Sequence, residues 1–321
     1  MGLRIAFAVG IPLIGATLGG YPLAGVAGGA TAMFVSLCDI GNRRRERLAA
    51  MVAGLLAIIV GGVVGDRLGG TPYANETVIL LSALLTGWVS GSYPAIAAIA
   101  RFFAIATAVG AGMQFTGQAV LITAVGGGLS AIGIALLAWK LGAVPVSDNL
   151  MDWRAGVRRA FAGADAGPWF ALCFAICCAL ALFAAERLQV SRPYWATMVV
   201  IMVMRREGMV SLRLSIHYIA GTLVGIPVAW AVAEVLREPS ALAFAATLFA
   251  ALVRVGFAVN PALGFTAFTA FLMLVVDLAL RGAGMPPHLL SVRFYDVGVG
   301  CAIALAGTLV AATGQRRRAT G

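Results

Sequence analysis

Residues 192–225, RPYWATMVVIMVMRREGMVSLRLSIHYIAGTLVG, decide how the rest of the chain is read. The stretch opens on Arg192, Pro193, Tyr194 and Trp195 and runs apolar to Met204. It turns through Arg205 and Arg206 and becomes apolar again after Arg213. A long apolar run predicts helix, because a backbone in lipid must satisfy its own hydrogen bonds. The expected structure is two apolar helices joined by a short basic turn. Gly221 and Gly225 stand four apart around Thr222, a small-xxx-small spacing that lets helix backbones approach closely in lipid.

Composition extends this reading to the whole chain. Of 321 residues, 61% are hydrophobic and only 11% charged. A soluble domain needs roughly a quarter of its residues charged to cover its surface. Most windows of about 20 residues, the length that crosses a hydrocarbon core about 30 Å thick, hold few charges. The class is an all-α polytopic membrane protein; a β-barrel would show short alternating segments, and none are visible. The net charge of +10 and pI of about 10.1 fit loops that collect Lys and Arg on the cytoplasmic side. Nucleic acid is not the expected partner, because the basic residues fall at helix ends with no soluble domain to carry them. Cys38, Cys173, Cys177, Cys178 and Cys301 all lie in apolar runs without Cys-x-x-Cys spacing, and His217 and His288 are the two histidines. These thiols read as packing residues, with no disulfide framework, metal site or cofactor expected.

The Pro-Tyr-Trp-Ala opening, the basic loop and the Gly-Thr-Leu-Val-Gly run, in that order, resemble the fusaric acid resistance protein-like (FUSC) family. These are bacterial inner-membrane proteins that include the aromatic acid exporters. The resemblance implies a bacterial inner-membrane location and efflux of small aromatic acids. Two departures limit what transfers. Family members usually carry an Arg three residues before the Gly-Thr pair, where this chain has Tyr218 beside His217. Many also carry a large cytoplasmic domain, for which the connection between the two membrane halves is too short.

Taken in order, the chain predicts about twelve membrane helices. The N-terminal run, with one Arg and a weak small-x-small site, reads as a retained first helix rather than a signal peptide. The second helix covers 22–40, the third 48–64, and a polar loop 66–77 separates it from the next at 78–90. Helices at 94–113 and 119–140 complete an N-terminal half, 1–140. A cytoplasmic linker, 141–166, places Leu150, Trp153, Val157 and Phe161 at helical spacing with Arg154, Arg158 and Arg159 off that stripe. It reads either as an amphipathic helix in the membrane interface or as a solvated connection. The C-terminal half, 167–321, then repeats the first. An offset of 167 lays Ala53-Gly54 on Ala220-Gly221, Pro94-Ala95 on Pro261-Ala262 and Gly133 on Gly300, and brings the two basic loops together. With the N-terminus inside, fifteen Lys and Arg fall in inner loops against six outside, so both termini are expected in the cytoplasm. Six helices per half makes the halves parallel, as in transporters whose repeat axis follows the membrane normal.

No Walker-type phosphate loop, Ser-His-Asp arrangement or metal cluster is present in this pattern, and no enzyme activity is expected. The informative residues are charges within apolar helices, each costing about 2.5–3.5 kcal/mol at mid-helix on insertion scales. Arg101 stands seven residues after Pro94 and Arg254 seven before Pro261. Each either snorkels to the interface or faces the bundle interior and attracts an organic anion at its cytoplasmic entrance. Asp277 has Arg281 one turn on. It is either half of a structural ion pair or a proton-coupling carboxylate raised by desolvation. Tyr194 and Trp195 either anchor a helix in the headgroup belt or line the exit path and stack on an aromatic substrate. Gly221, Thr222 and Gly225 read as a packing motif.

The expected function is secondary efflux of small aromatic or hydrophobic carboxylic acids, with the substrate class resting on the resemblance. Two alternatives stand beside it: an organic-anion channel, similar in architecture to aluminium-activated malate transporters, and an envelope scaffold that transports nothing. The partners are a small organic anion and the lipid bilayer. Glycine-rich faces leave room for a homo-oligomer.

Overall fold

Prolines and small polar residues set where the helices begin. Pro22, Pro72 and Pro239 occupy first-turn positions, where the missing N–H costs nothing. Pro94 and Pro261 open their helices in the same way. The computed structural model describes residues 2–41, 43–90, 93–113, 118–142, 153–162, 167–189, 192–282 and 290–319. Among them are thirteen helices and no strand: α1 (Gly2–Leu18), α2 (Pro22–Leu37), α3 (Arg44–Leu68), α4 (Pro72–Val89), α5 (Pro94–Met113), α6 (Gln118–Lys140), α7 (Trp153–Phe161), α8 (Gly167–Arg187), α9 (Tyr194–Val203), α10 (Gly208–Val235), α11 (Pro239–Val259), α12 (Pro261–Gly282) and α13 (Leu290–Ala319). Eight of these are long and apolar enough to cross a membrane, and α1, α2 and α9 are shorter apolar helices.

Helix starts depart from the expected bounds where polar turns precede an apolar run. α3 begins at Arg44 and α4 at Pro72, each several residues early, and α10 at Gly208, ahead of the apolar run expected after Arg213. A polar first turn outside the lipid still gains backbone hydrogen bonds. The polar loop expected over 66–77 is therefore corrected to Gly69–Thr71. Thr71 Oγ1 accepts from Ala74 N at 3.3 Å and caps α4, so Asn75, Glu76 and Thr77 lie on a helix.

α7 packs against the end of α4. Trp88 Nε1 donates to the Phe161 carbonyl at 3.0 Å, and Ala160 is buried with Val89 and Ala100. Arg154, Arg158 and Arg159 are exposed, and so is Phe161. Leu150, the first residue of the expected apolar stripe, lies outside the described residues.

α9 differs in kind from the long helices. Nine of its ten residues are buried, and at 1.5 Å per residue it spans about 15 Å, half a hydrocarbon core. It stops because Met204 is extended and Ser211 holds the next residue from both sides. Ser211 Oγ accepts from Arg205 N at 2.7 Å and donates to Arg205 O at 3.0 Å. α2 is the other short buried helix, with nine of its sixteen residues inside.

The neighbours of each helix follow a pattern. α3 packs on α5 and α10 on α12; α2 packs on α6 and α9 on α13; α1 packs on α2 and α8 on α9. Between the chain's two halves, α1 packs on α11 and α4 on α8, while α2 packs on α12 and α5 on α9. Outward-facing residues such as Phe7, Leu56, Leu129 and Leu248 are exposed and apolar, as a lipid-facing surface requires.

Candidate functional site

Between α2 and α12 on one side and α5 and α9 on the other lies a cavity of about 200 Å³. It also reaches α3 and α6, so it is displaced toward the first half. Drug-sized ligand sites run roughly 300–1,000 Å³, so this one fits a small molecule. The α2–α12 wall is apolar apart from Thr31, with Phe34, Phe271, Leu272 and Val275 facing in. The opposite wall carries Arg192, just before α9, and Tyr194, Trp195 and Met198 on α9, with Ile105 and Val109 on α5. Among the described residues, Arg192 is the one charged member of the lining.

The aromatic end of this wall is tightly built. Tyr194 and Trp195 are buried, their rings edge to face with centroids 6.3 Å apart. Arg192 Nη1 donates to Tyr194 Oη at 3.2 Å, and the guanidinium lies 5.6 Å from the centre of the Trp195 ring. Stacking and hydrogen bonding hold the cation at the cavity edge, and no carboxylate among the described residues forms an ion pair with it. α5 approaches so closely here that a Cβ at Gly112 would collide with the Tyr194 ring.

The same helix pair is cationic at its other end. Eleven residues before Gly112, about 16 Å along α5, Arg101 interacts electrostatically with Arg205, just past the end of α9. Arg101 Nε is buried and has no hydrogen-bond partner among the described residues. Arg205 Nη1 donates to the Met204 carbonyl at 2.9 Å. Burial, and then the Arg101 charge, pull the Arg205 guanidinium below its ordinary value against the pull of Glu207; an arginine stays charged regardless. Between the two cationic ends, the Phe34 and Phe102 rings meet with centroids 5.0 Å apart.

Arg254 and Arg101 are not brought together. Arg254 instead joins a cluster centred on Asp39, just beyond α2, where it interacts electrostatically with Asp39, Arg4 and Arg47. Arg47 grips Asp39 with Nε and Nη2, each at 2.6 Å, and Arg4 Nη2 bonds the same carboxylate. Burial pushes the Asp39 carboxyl up, but the Arg47 hydrogen bonds and the Arg4 charge outweigh it and hold it below the usual carboxylate range.

Asp277 does not line the cavity. Its carboxylate is 2.8 Å from Arg281 Nε, an ion pair between successive turns, although the two atoms are not aligned as a hydrogen bond. Arg281 also donates to the carbonyls of Arg237 and Ala233 at 3.2 and 3.0 Å, closing the end of α10. Gly221 and Gly225 press α10 onto α12: added Cβ atoms would lie 2.6 Å from Phe265 Cβ and 2.8 Å from the Thr266 carbonyl. Thr222 Oγ1 faces Thr269 Oγ1 at 3.5 Å. Tyr218 is buried against the Phe265 ring, centroids 4.7 Å apart.

Three residues of these sites carry no mark in the sequence. Arg192 and Arg205 look like ordinary helix-end arginines, and Asp39 is a lone acid beside a basic loop. The one signal that could single out Asp39 is position: an acid at the end of an apolar run, four residues before Arg43, Arg44, Arg45 and Arg47 begin.

Apolar helices in this number and arrangement define a multi-pass membrane protein. Residues 169–307 match the model of the family described as fusaric acid resistance protein-like. Together, the matched segment and the apolar helices point to a membrane transporter. No curated protein and no solved structure matches the chain.

Proposed function

We propose that the protein is a secondary transporter that exports small aromatic or hydrophobic carboxylic acids across a bacterial inner membrane, with both termini cytoplasmic. The observation that carries this reading is the cavity: apolar on most sides, one-ring in size, and edged by Arg192, Tyr194 and Trp195. An aromatic carboxylate needs these features, with apolar surface and ring faces for its body and a guanidinium for its charge. The family description names resistance to fusaric acid, an aromatic carboxylic acid, which agrees with that chemistry. Arg101 and Arg205 raise the local concentration of anions at the opposite end of the same helix pair.

A membrane potential negative inside drives a monovalent anion outward by about 2.3 kcal/mol per 100 mV, so a selective path suffices without ATP. Asp277 stands outside the cavity in its ion pair, and in this reading the potential rather than a proton on Asp277 supplies the drive.

In this reading the chain holds two parallel six-helix halves, 1–140 and 167–321, joined by 141–166. The helix neighbours support it. Under the 167 offset α1 corresponds to α8 and α6 to α13, and each packed pair named above then has a counterpart. The pairs between halves exchange with one another, as a two-fold axis between the halves requires; the even number of helices per half sets that axis along the membrane normal in this reading. The cavity lies between α2 and α12 and their counterparts α9 and α5, displaced toward the first half.

The test is flux of a labelled one-ring carboxylate in proteoliposomes, with voltage and pH gradients imposed separately. Voltage alone drives flux, and Asp277→Asn leaves that flux unchanged. Flux that requires a pH gradient and disappears in Asp277→Asn would restore proton coupling. Unitary currents in bilayers would make the protein a channel, and absence of any flux would leave a scaffold.

A further inference from the structure

We propose that the corner formed by α1, α2, α3, α6 and α11 is a binding site for the phosphate headgroup of an anionic phospholipid. The corner gathers three guanidiniums, Arg4, Arg47 and Arg254, around the single carboxylate of Asp39. Its net charge is positive by two. Asp39 is committed to Arg4 and Arg47, and Arg254 makes no hydrogen bond among the described residues.

Two further donors are buried there with nothing to bond. Arg4 Nη1 and Trp139 Nε1 both lack a hydrogen-bond partner among the described residues. Both side chains are more than nine-tenths buried. The Trp139 ring lies under Arg47, 5.3 Å from ring centre to guanidinium carbon, so the indole belongs to the same cluster. Buried donors are nearly always satisfied in proteins. The set of a guanidinium arm, an indole N–H and a second guanidinium matches a phosphate oxyanion, which accepts several bonds at once.

The position selects the source of that phosphate. Arg4 and Arg47 lie in the first turns of α1 and α3, Trp139 is next to the last residue of α6, and Asp39 follows α2. All are at helix ends, the level of headgroups and of interfacial tryptophan. Basic pockets between helices at the cytoplasmic surface are where anionic headgroups bind. The half-buried Arg254 opens the corner outward, beside Leu252 and Val255 of α11 and Leu3 and Phe7 of α1, all exposed. α1 and α11 touch there, with Gly2 against Ala251 and Val255. Acyl chains lying along this apolar face would bring their phosphate to the cluster. None of these residues lines the cavity, so the site stands apart from substrate recognition.

The experiment compares thermal unfolding of the full chain in nanodiscs of phosphatidylcholine with nanodiscs that also contain phosphatidylglycerol. A ligand of the folded state raises the unfolding temperature by mass action. The wild type is expected to melt several degrees higher with phosphatidylglycerol. Arg254→Gln and Trp139→Phe remove donors while Arg4 and Arg47 still hold Asp39, and both variants should lose most of that rise. Arg101→Gln lies at the same end but outside the corner, and should keep it. Equal melting of the wild type in both lipids would overturn the proposal, as would a full rise in Arg254→Gln. Inorganic phosphate added to phosphatidylcholine nanodiscs should give little rise; a full rise from phosphate alone would remove lipid as the occupant. These readings involve no transport and are independent of the export reading.

Discussion

α2 and α9 are both short and buried, and they flank the cavity from opposite sides, yet their ends are finished in opposite ways. α5 touches both ends: Phe102 meets Phe34 of α2, and Arg101 lies beside Arg205 after α9. Beyond α2 the chain places Asp39, which ties down Arg4 and Arg47 in a buried cluster. Beyond α9 it places Arg205, which lies in the field of Arg101 and, opposing it, of Glu207. The first terminus ties Arg4 and Arg47 to one carboxylate and so fixes α1, α2 and α3, with Arg254 left at its outer edge. The second has no carboxylate gripped by two arginines among the described residues, and its cations stand beside the helix pair that walls the cavity. Two helices of similar length and burial thus separate a structural end from a working one, and the residue just past the helix makes the difference.

The comparison breaks most easily at Asp39. Asp39→Asn leaves buried guanidiniums without their counter-charge and should destabilise the protein by about 3–5 kcal/mol, read as a fall in unfolding temperature. The wild type carries the same dependence in its pH profile. The Asp39 carboxyl is held below its ordinary value of 3.8 in the folded state. Its contribution is therefore complete above that value and is lost as pH falls through the lower, folded value. Thermal unfolding followed from neutral pH into acid should show this loss, and Asp39→Asn should flatten it.

On the working side the effects fall on transport. Arg192→Gln removes a charged hydrogen bond worth about 1.5–3 kcal/mol, so KM for an aromatic carboxylate should rise roughly 10–100-fold. The unfolding temperature should stay close to that of the wild type. Arg101→Gln acts from farther away. An attraction of about 1 kcal/mol predicts a rise in KM of roughly fivefold, with stability equal or higher because Arg205 loses a like-charged neighbour. A collapse in stability for Arg101→Gln, with KM unchanged, would make the two ends alike.

Much of the fold could be read from hydropathy alone, because burial in lipid selects long apolar helices whatever their packing partners. Bounds slipped at α3, α4 and α10, where polar turns continue a helix beyond the apolar run and hydropathy carries no information. Tyr194 and Trp195 are conspicuous in the sequence by residue type, and both line the cavity. Arg192 did not, since an arginine before a helix is ordinary until α2 and α12 close opposite it. The Asp39 cluster joins residues 35 positions apart and then Arg254 from the other half. Only the packing of α1 on α11 brings them together, and no periodicity along the chain records that contact.

On the proposed function, the cavity edged by Arg192 holds an aromatic carboxylate. Met198 lies in its lining, and the cysteines Cys38, Cys173, Cys177, Cys178 and Cys301 are all buried. The most direct measurement is therefore the alkylation rate of a Met198→Cys variant by a small thiol reagent, with benzoate or its uncharged analogue benzamide present. Benzoate should slow the reaction in a saturable way, benzamide should not, and adding Arg192→Gln should remove the protection. Equal rates with and without benzoate would contradict the account.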